Sequence, residues 1–183
     1  MIAEKCELRK IVASIKRTFS KEELLELSNS VLENLYKLDA FNNANTVLLY
    51  YSMPDEVSTV SLIASLQGSK RILLPIVDKS GLILKKYTSD DFMEVSKFGI
   101  KEPKGELFTD YDSIDVVIVP GVAFDRSMSR MGRGKGYYDG LLPQIDAPKI
   151  AICFDFQVFD YVPIDERDIK MDVIVCESEI IKY

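Results

Sequence analysis

The chain has 183 residues, of which 47% are hydrophobic and 28% charged, a balance that can fill the core of a soluble α/β domain. Its formal net charge of −6 argues against general binding to duplex nucleic acid, which needs many cations facing phosphates. Histidine is absent, and this excludes Ser-His-Asp and Cys-His catalytic schemes, histidine general bases and histidine zinc sites.

The cysteines and the N-terminal segment indicate a reducing compartment. Cys6, Cys153 and Cys176 form no CxxC pair, so a disulfide framework is not expected. The first ten residues carry charges from the fourth position on and lack the apolar segment of a signal peptide. No apolar run reaches about 18 residues, the length that spans a membrane. We therefore expect a cytoplasmic protein without a membrane segment. No repeat, low-complexity segment or linker divides the sequence, so we expect one domain over residues 1–183, and we favour a monomer.

The first forty residues have the pattern of two amphipathic helices. The first is predicted over residues 3–18, and the second starts after a capping box formed by Ser20 and Glu23 and extends to about Leu38. The inward residues are predicted to be Leu8, Ile11, Val12, Ile15 and Phe19 in the first helix, and Leu24, Leu27, Val31 and Leu35 in the second. Lys10, Lys16 and Lys21 are expected on solvated faces.

The rest of the chain alternates short apolar runs with helical patterns. A helix is predicted over residues 57–67, ended by Gly68, and residues 89–113 are expected to form an irregular surface connection that is either a lid or a passive loop. Strands are predicted at 46–51, 71–77, 82–87, 116–119, 149–154 and 172–176, with the second and third joined as a hairpin. This order predicts an α/β fold of three layers, α/β/α, with a mostly parallel central sheet.

The most informative segment is residues 120–139, which begins at the carboxyl end of a predicted strand, where ligands of open α/β sheets bind. Its centre, Gly-Arg-Gly-Lys-Gly at 132–136, alternates glycines with cations, and a short helix is predicted to start after it. Free amides at a helix start, together with Arg and Lys side chains, form a site for a di- or triphosphate. The segment is neither a P-loop, because Gly136 follows Lys135, nor a GxGxxG motif, because Tyr137 occupies the third glycine position.

The same residues resemble the hallmark of the 5-formyltetrahydrofolate cyclo-ligases, also called 5,10-methenyltetrahydrofolate synthetases. The matching motifs are Pro-Gly-x-x-Phe-Asp at 120–125 and Arg-x-Gly-x-Gly-x-Gly-Tyr-Tyr-Asp at 130–139. Three further segments agree in order: Lys5-x-x-x-Arg9, Ser-Met-Pro-Asp-Glu at 52–56, and Met171-Asp172. The resemblance spans nearly the whole chain and departs from the family pattern at residues 127–129, where a glycine is common.

The resemblance implies that ATP and Mg²⁺ drive the conversion of 5-formyltetrahydrofolate to 5,10-methenyltetrahydrofolate, with ADP and phosphate released. It implies that ATP is bound by Lys5, Arg9, Arg130, Met131, Gly132, Arg133, Gly134, Lys135, Gly136, Tyr137 and Tyr138. It implies folate contacts from Tyr51, Glu56, Arg133, Gly134, Lys135, Gly136 and Tyr137. It also implies that Asp139 and Asp172 bind magnesium, directly or through water.

Several of these residues also fit an ordinary structural role. Glu56 fits a turn carboxylate, and Tyr51 fits packing as well as a backbone contact to the ligand. Asp139 alternatively caps its own helix or pairs with Arg133, and Asp172 alternatively opens a strand.

The implied chemistry suits a chain without a histidine. A formamide carbonyl is a poor electrophile, and phosphorylation turns its oxygen into a leaving group that departs when N10 attacks the carbon. The protein then needs to align the reactants and neutralise charge, and needs no nucleophile of its own. Arg133 and Lys135 are predicted to be the catalytic residues, with Lys135 the most damaging single loss.

Two other classes of function use the same features. A sugar-phosphate isomerase or an acyl-CoA-type enzyme would bind a substrate phosphate at the basic turn without ATP hydrolysis. A nucleotide- or folate-binding regulator would bind without turnover. Phosphate release from ATP with and without 5-formyltetrahydrofolate distinguishes the three.

Overall fold

The computed structural model describes residues 2–79, 81–96 and 99–182. Within these ranges the helices are α1 (Ile2–Lys16), α2 (Lys21–Leu35), α3 (Asp39–Asn42), α4 (Val60–Leu66) and α5 (Tyr137–Leu141). The strands are β1 (Thr46–Leu48), β2 (Arg71–Asp78), β3 (Gly81–Lys86), β4 (Met93–Val95), β5 (Lys101–Pro103), β6 (Leu107–Phe108), β7 (Val116–Val119), β8 (Ala123–Asp125), β9 (Arg130–Met131), β10 (Lys149–Ile152), β11 (Val158–Phe159), β12 (Val173–Val175) and β13 (Ile180–Lys182).

The central sheet has eight strands in the order β13-β12-β10-β7-β1-β2-β3-β6. Its middle strands, from β12 to β2, pair in parallel, whereas β13, β3 and β6 join the two edges in antiparallel fashion. The predicted mostly parallel α/β sheet is therefore confirmed. A three-stranded sheet, β11-β8-β9, and the β4-β5 pair lie outside it.

Both faces of the central sheet are buried, as expected for parallel strands with apolar residues at successive positions. On one face, Val47 and Leu49 pack in a cluster with residues of α2 and α4. On the other face, Leu48 packs in a second cluster with Leu141 of α5 and Phe124 of β8. The second layer thus consists of a short helix together with part of the small sheet, rather than of long helices.

The N-terminal helices largely follow the prediction. The Ser20–Glu23 capping box is present in both directions and begins α2. Ile11, predicted to face inward, is 43% exposed, because α1 buries a narrow stripe around Val12. The expectation of a solvated Lys16 is wrong, because its side chain is 8% exposed and bonded to Asp55.

The prediction that residues 89–113 are irregular is also wrong, although most of the described residues in this range are exposed or half-buried, as expected for a surface segment. This segment contains β4, β5 and β6, and β6 pairs with β3 at the sheet edge. The predicted hairpin of β2 and β3 is confirmed, with Ser80 in its connection lying outside the described residues. Gly68 ends α4 with a φ of +83°, as predicted for a C′ glycine.

None of the helices in the described part of the chain has the length and apolar content needed to cross a bilayer.

Candidate active site

A cavity of ≈ 410 Å³ opens at the carboxyl end of the parallel strands, and we call it the main cavity. Its size lies within the range of about 300–1,000 Å³ typical of small-molecule sites. Tyr50 and Tyr51 follow β1, and Pro120 and Gly121 follow β7, so strand ends form its floor. Its walls are mostly apolar, and one side is formed by residues 132–136, which we call the glycine turn.

The backbone of the glycine turn has an unusual conformation. Gly134 and Gly136 have φ values of +96° and +68°, a region that glycine adopts without strain. Gly136 is also the N-cap of α5, as the sequence predicts. The amides of Gly134, Lys135 and Gly136 donate to no acceptor among the residues that the structure describes. Consecutive unpaired amides form a concave surface that attracts an anion.

Two cations at the glycine turn have no carboxylate partner among the described residues, 2–79, 81–96 and 99–182. Lys135 is exposed at the tip, and its ammonium group forms neither a hydrogen bond nor an ion pair within the described ranges. Arg9 of α1 donates from Nε to the Gly132 carbonyl over 2.9 Å, and its guanidinium forms no ion pair with a described residue. The Arg9 guanidinium carbon lies 3.3 Å from the place that a Cβ on Gly134 would take. Arg9 therefore lies directly against the turn.

The third cation, Arg133, is held by two carboxylates. Its Nη2 donates to Asp55 Oδ1 over 2.7 Å and to Glu56 Oε1 over 3.1 Å. Burial disfavours the Arg133 charge, but Glu56 and Asp55 outweigh it and raise the pKa of the guanidinium. The second oxygen of Glu56 accepts from the Met53 amide. The structure thus brings Glu56 and Arg133 together at the main cavity, as the sequence interpretation requires.

Arg130 forms a buried ion pair below the turn. It is 3% exposed and donates from Nη2 to Asp139 Oδ1 over 2.6 Å, while its Nε is buried without a hydrogen-bond partner in the described residues. The pairing predicted for Asp139 is thus present with Arg130 rather than with Arg133. The Tyr138 ring lies 5.7 Å from the Arg130 guanidinium carbon, and burial raises the pKa of Tyr138.

Of the described residues implied for the ligand site, four do not line the main cavity: Lys5, Arg9, Met131 and Asp172. Arg9 contacts the glycine turn from α1, whereas the predicted ATP contact of Met131 is not supported, because its side chain is 1% exposed and packs in a core cluster with Val12. Lys5 is bonded to both Asp165 and Asp168, which raise its pKa against the opposing effect of burial. Asp172 precedes β12 and accepts from the Lys149 amide over 2.7 Å, at the amino ends of the strands. The structure therefore does not bring Asp139 and Asp172 together as a magnesium site, and among the described residues no cluster of three acidic or thiol ligands exists.

Sequence reasoning missed one wall of the main cavity. Pro75, Val77 and Leu82 come from the long β2-β3 hairpin, whose strands extend past the end of β1. Ile100 and Glu102 come from the segment expected to be irregular. No sequence motif marks these residues as part of a site. They lie beside it because β2 and β3 are longer than β1.

A second cavity of ≈ 350 Å³, the side cavity, lies on the other side of the glycine turn. Lys135, Gly136, Tyr137 and Leu82 line both cavities. Lys79 and Gln144 complete a more polar lining. A mostly apolar space and a polar space thus meet at one basic turn.

The comparisons with known proteins agree over nearly the full chain. An NMR structure of 5,10-methenyltetrahydrofolate synthetase from Aquifex aeolicus is 37% identical, with a TM-score of 0.87 over 97% of this chain and 92% of that one. A 5,10-methenyltetrahydrofolate synthetase from Mycoplasma pneumoniae is 25% identical, with a TM-score of 0.78 over 96% of this chain and 99% of that one. A probable 5-formyltetrahydrofolate cyclo-ligase from Schizosaccharomyces pombe is 29% identical over 100% of this chain and 99% of its own. The family model for 5-formyltetrahydrofolate cyclo-ligases matches residues 1–177, and the chain therefore belongs to the 5-formyltetrahydrofolate cyclo-ligase family.

Proposed function

We propose that this chain, an enzyme of the 5-formyltetrahydrofolate cyclo-ligase family, uses ATP to convert 5-formyltetrahydrofolate into 5,10-methenyltetrahydrofolate. The observation that carries the proposal is the glycine turn, whose amides and Lys135 have no partner among the described residues, beside an apolar cavity that holds Glu56. The turn suits the terminal phosphates of ATP, and the cavity suits a pterin whose amino and amide edge hydrogen-bonds to a carboxylate.

The reaction needs alignment and charge neutralisation from the protein. The formyl oxygen attacks the γ-phosphorus and ADP leaves; N10 then attacks the activated carbon, which closes the ring, and the N10 proton and phosphate leave. We assign Lys135 and the turn amides to the charge that develops on the transferring phosphoryl group. The apolar walls of the main cavity exclude water, which would otherwise compete for the activated formyl group.

Arg133 links the two substrates in this proposal. In the structure it is paired with Asp55 and Glu56. A pterin that donates hydrogen bonds to Glu56 would loosen this pair and free the guanidinium for phosphate. Arg9 lies against the turn and adds positive charge there.

The described residues do not fit a resident magnesium site built by the protein. Asp139 lines the main cavity but is paired with Arg130, and Asp172 lies at the amino edge of the sheet. Magnesium commonly binds through substrate phosphates and water with few protein ligands. We therefore propose that it enters with ATP, and no step above depends on a protein ligand to it.

The test is a coupled measurement on the purified protein. Phosphate release and the absorbance of the methenyl product are followed with ATP alone, with 5-formyltetrahydrofolate alone and with both. We expect product and phosphate in equal amounts when both substrates are present. Phosphate release at the same rate with and without 5-formyltetrahydrofolate, or tight binding of both substrates without product, would refute the proposal.

A further inference from the structure

Lys16 is a buried cation that the proposed reaction does not use. Its side chain is 8% exposed, and it does not line either cavity. Its ammonium group donates to the Asp55 carbonyl over 2.5 Å and lies 3.3 Å from Asp55 Oδ2. Burial lowers the pKa of Lys16, and the charge of Asp55 partly offsets this. A cation at such a place is costly to bury and needs its partner.

Asp55 connects Lys16 to the candidate active site. One of its carboxylate oxygens contacts Lys16, and the other accepts from Arg133 over 2.7 Å. Asp55 is also the chain neighbour of Glu56, which contacts Arg133 and the Met53 amide. The last turn of α1 is thus connected to Arg133 through the Asp55 carboxylate and to Glu56 through the backbone that Asp55 and Glu56 share.

The charges in this group balance. Lys16 and Arg133 are the cations, and Asp55 and Glu56 are the anions. Without Lys16, Arg133 would be the one cation left in this group. Both carboxylates would then attract Arg133 and hold it more tightly. The segment that carries Glu56 would also lose its attachment to α1.

We propose that Lys16 is a positioning residue for the folate side of the reaction, which acts through Asp55 to set the places of Glu56 and Arg133. The inference rests on the proposed function for its kinetic consequence and on the contacts alone for its structural one.

The experiment is a double-mutant cycle with Lys16→Met, Asp55→Asn and the double variant. We expect Lys16→Met to lower kcat/KM for 5-formyltetrahydrofolate roughly tenfold to a hundredfold, since displaced positioning groups cost that much. Asp55→Asn should give a similar loss, and the double variant should lose no more than the worse single variant, because both changes break one contact chain. Lys16→Arg should recover most of the activity.

Two controls separate positioning from stability. Val12→Ala removes a buried side chain of the same helix and should lower Tm with kcat/KM unchanged. Lys10→Met removes an exposed lysine whose partner among the described residues is Glu7 of the same helix, and should change neither quantity. Losses that add in the double variant, or that appear equally in Val12→Ala, would overturn the proposal.

A crystal structure of Lys16→Met tests the same claim without turnover. We expect the segment 53–56 and the Arg133 guanidinium to move, whereas unchanged places for both would overturn the proposal. A wild-type enzyme without activity would refute the proposed function, while this structural result would still decide whether Lys16 sets the site.

Discussion

At the scale of single residues, the site depends on which cations are already paired. Arg130 and Arg133 have carboxylate partners, whereas Lys135 has none within the described ranges. A paired cation must be released before it can bind phosphate, and an unpaired one is available at once. Lys135 is therefore the residue best suited to the transferring phosphoryl group.

Lys135→Ala should lower kcat by about 10²–10³, the effect of removing one preorganised group that stabilises transition-state charge. Its Tm should stay at the wild-type value, since Lys135 is exposed and without an ion pair in the described part of the chain. Steady-state kinetics and thermal unfolding check both expectations. A near-normal kcat with only the KM for ATP raised would remove Lys135 from the catalytic role.

At the scale of elements, the backbone of the glycine turn matters as much as its side chains. Gly134 and Gly136 have positive φ values just before α5 begins, a backbone conformation that only glycine adopts without strain. The helix has five residues, so the turn, rather than a long helix dipole, has to provide the donors.

Gly134→Ala should cost about 1–2 kcal/mol of stability, because an L-residue is strained at a φ of +96°. The new methyl would also lie 3.3 Å from the Arg9 guanidinium and should weaken ADP binding. Gly140→Ala is the matched change in α5, with open space around the added carbon, and should raise Tm slightly. Urea unfolding and calorimetric titration with ADP check this. If Gly134→Ala matches the wild type in both measurements, the turn does not depend on its glycine backbone.

Periodicity and motifs predicted the elements that local sequence determines. The capping box at Ser20, the hairpin of β2 and β3 and the helix start at Gly136 all depend on neighbouring residues. The pairing of Lys5 with Asp165 and Asp168 could not be predicted, because about 160 residues separate the partners along the chain. The prediction of a solvated Lys16 was wrong for the same reason, because the position of Lys16 in its helix does not reveal that it bonds to Asp55.

At the scale of the whole molecule, stability depends on acidic groups at the carboxyl edge of the sheet. Burial, together with the nearby Asp155, raises the pKa of Glu177 to about 7. The folded chain thus holds a proton on Glu177, between about pH 4.5 and pH 7, that the unfolded chain releases. The contribution of Glu177 to the free energy of unfolding is complete below pH 4.5 and is lost as the pH rises to 7. The pKa of Asp155 is lowered, so Asp155 affects stability only at pH values below the range in which Glu177 titrates.

Glu177→Gln should therefore flatten the fall in stability between pH 4.5 and pH 7.5. The change should be about 1 kcal/mol, because the half-exposed carboxyl is screened by solvent. Urea unfolding of both proteins across this pH range measures it. Parallel profiles for the two proteins would show that Glu177 does not titrate in this window.

The most direct test of the account is a crystal structure with ADP, magnesium and 5-formyltetrahydrofolate bound together. We predict the terminal phosphate of ADP on the amides of residues 134–136, with Lys135 Nζ within hydrogen-bond distance and the pterin ring in the main cavity beside Glu56. A nucleotide bound elsewhere, with the glycine turn empty, would contradict the account.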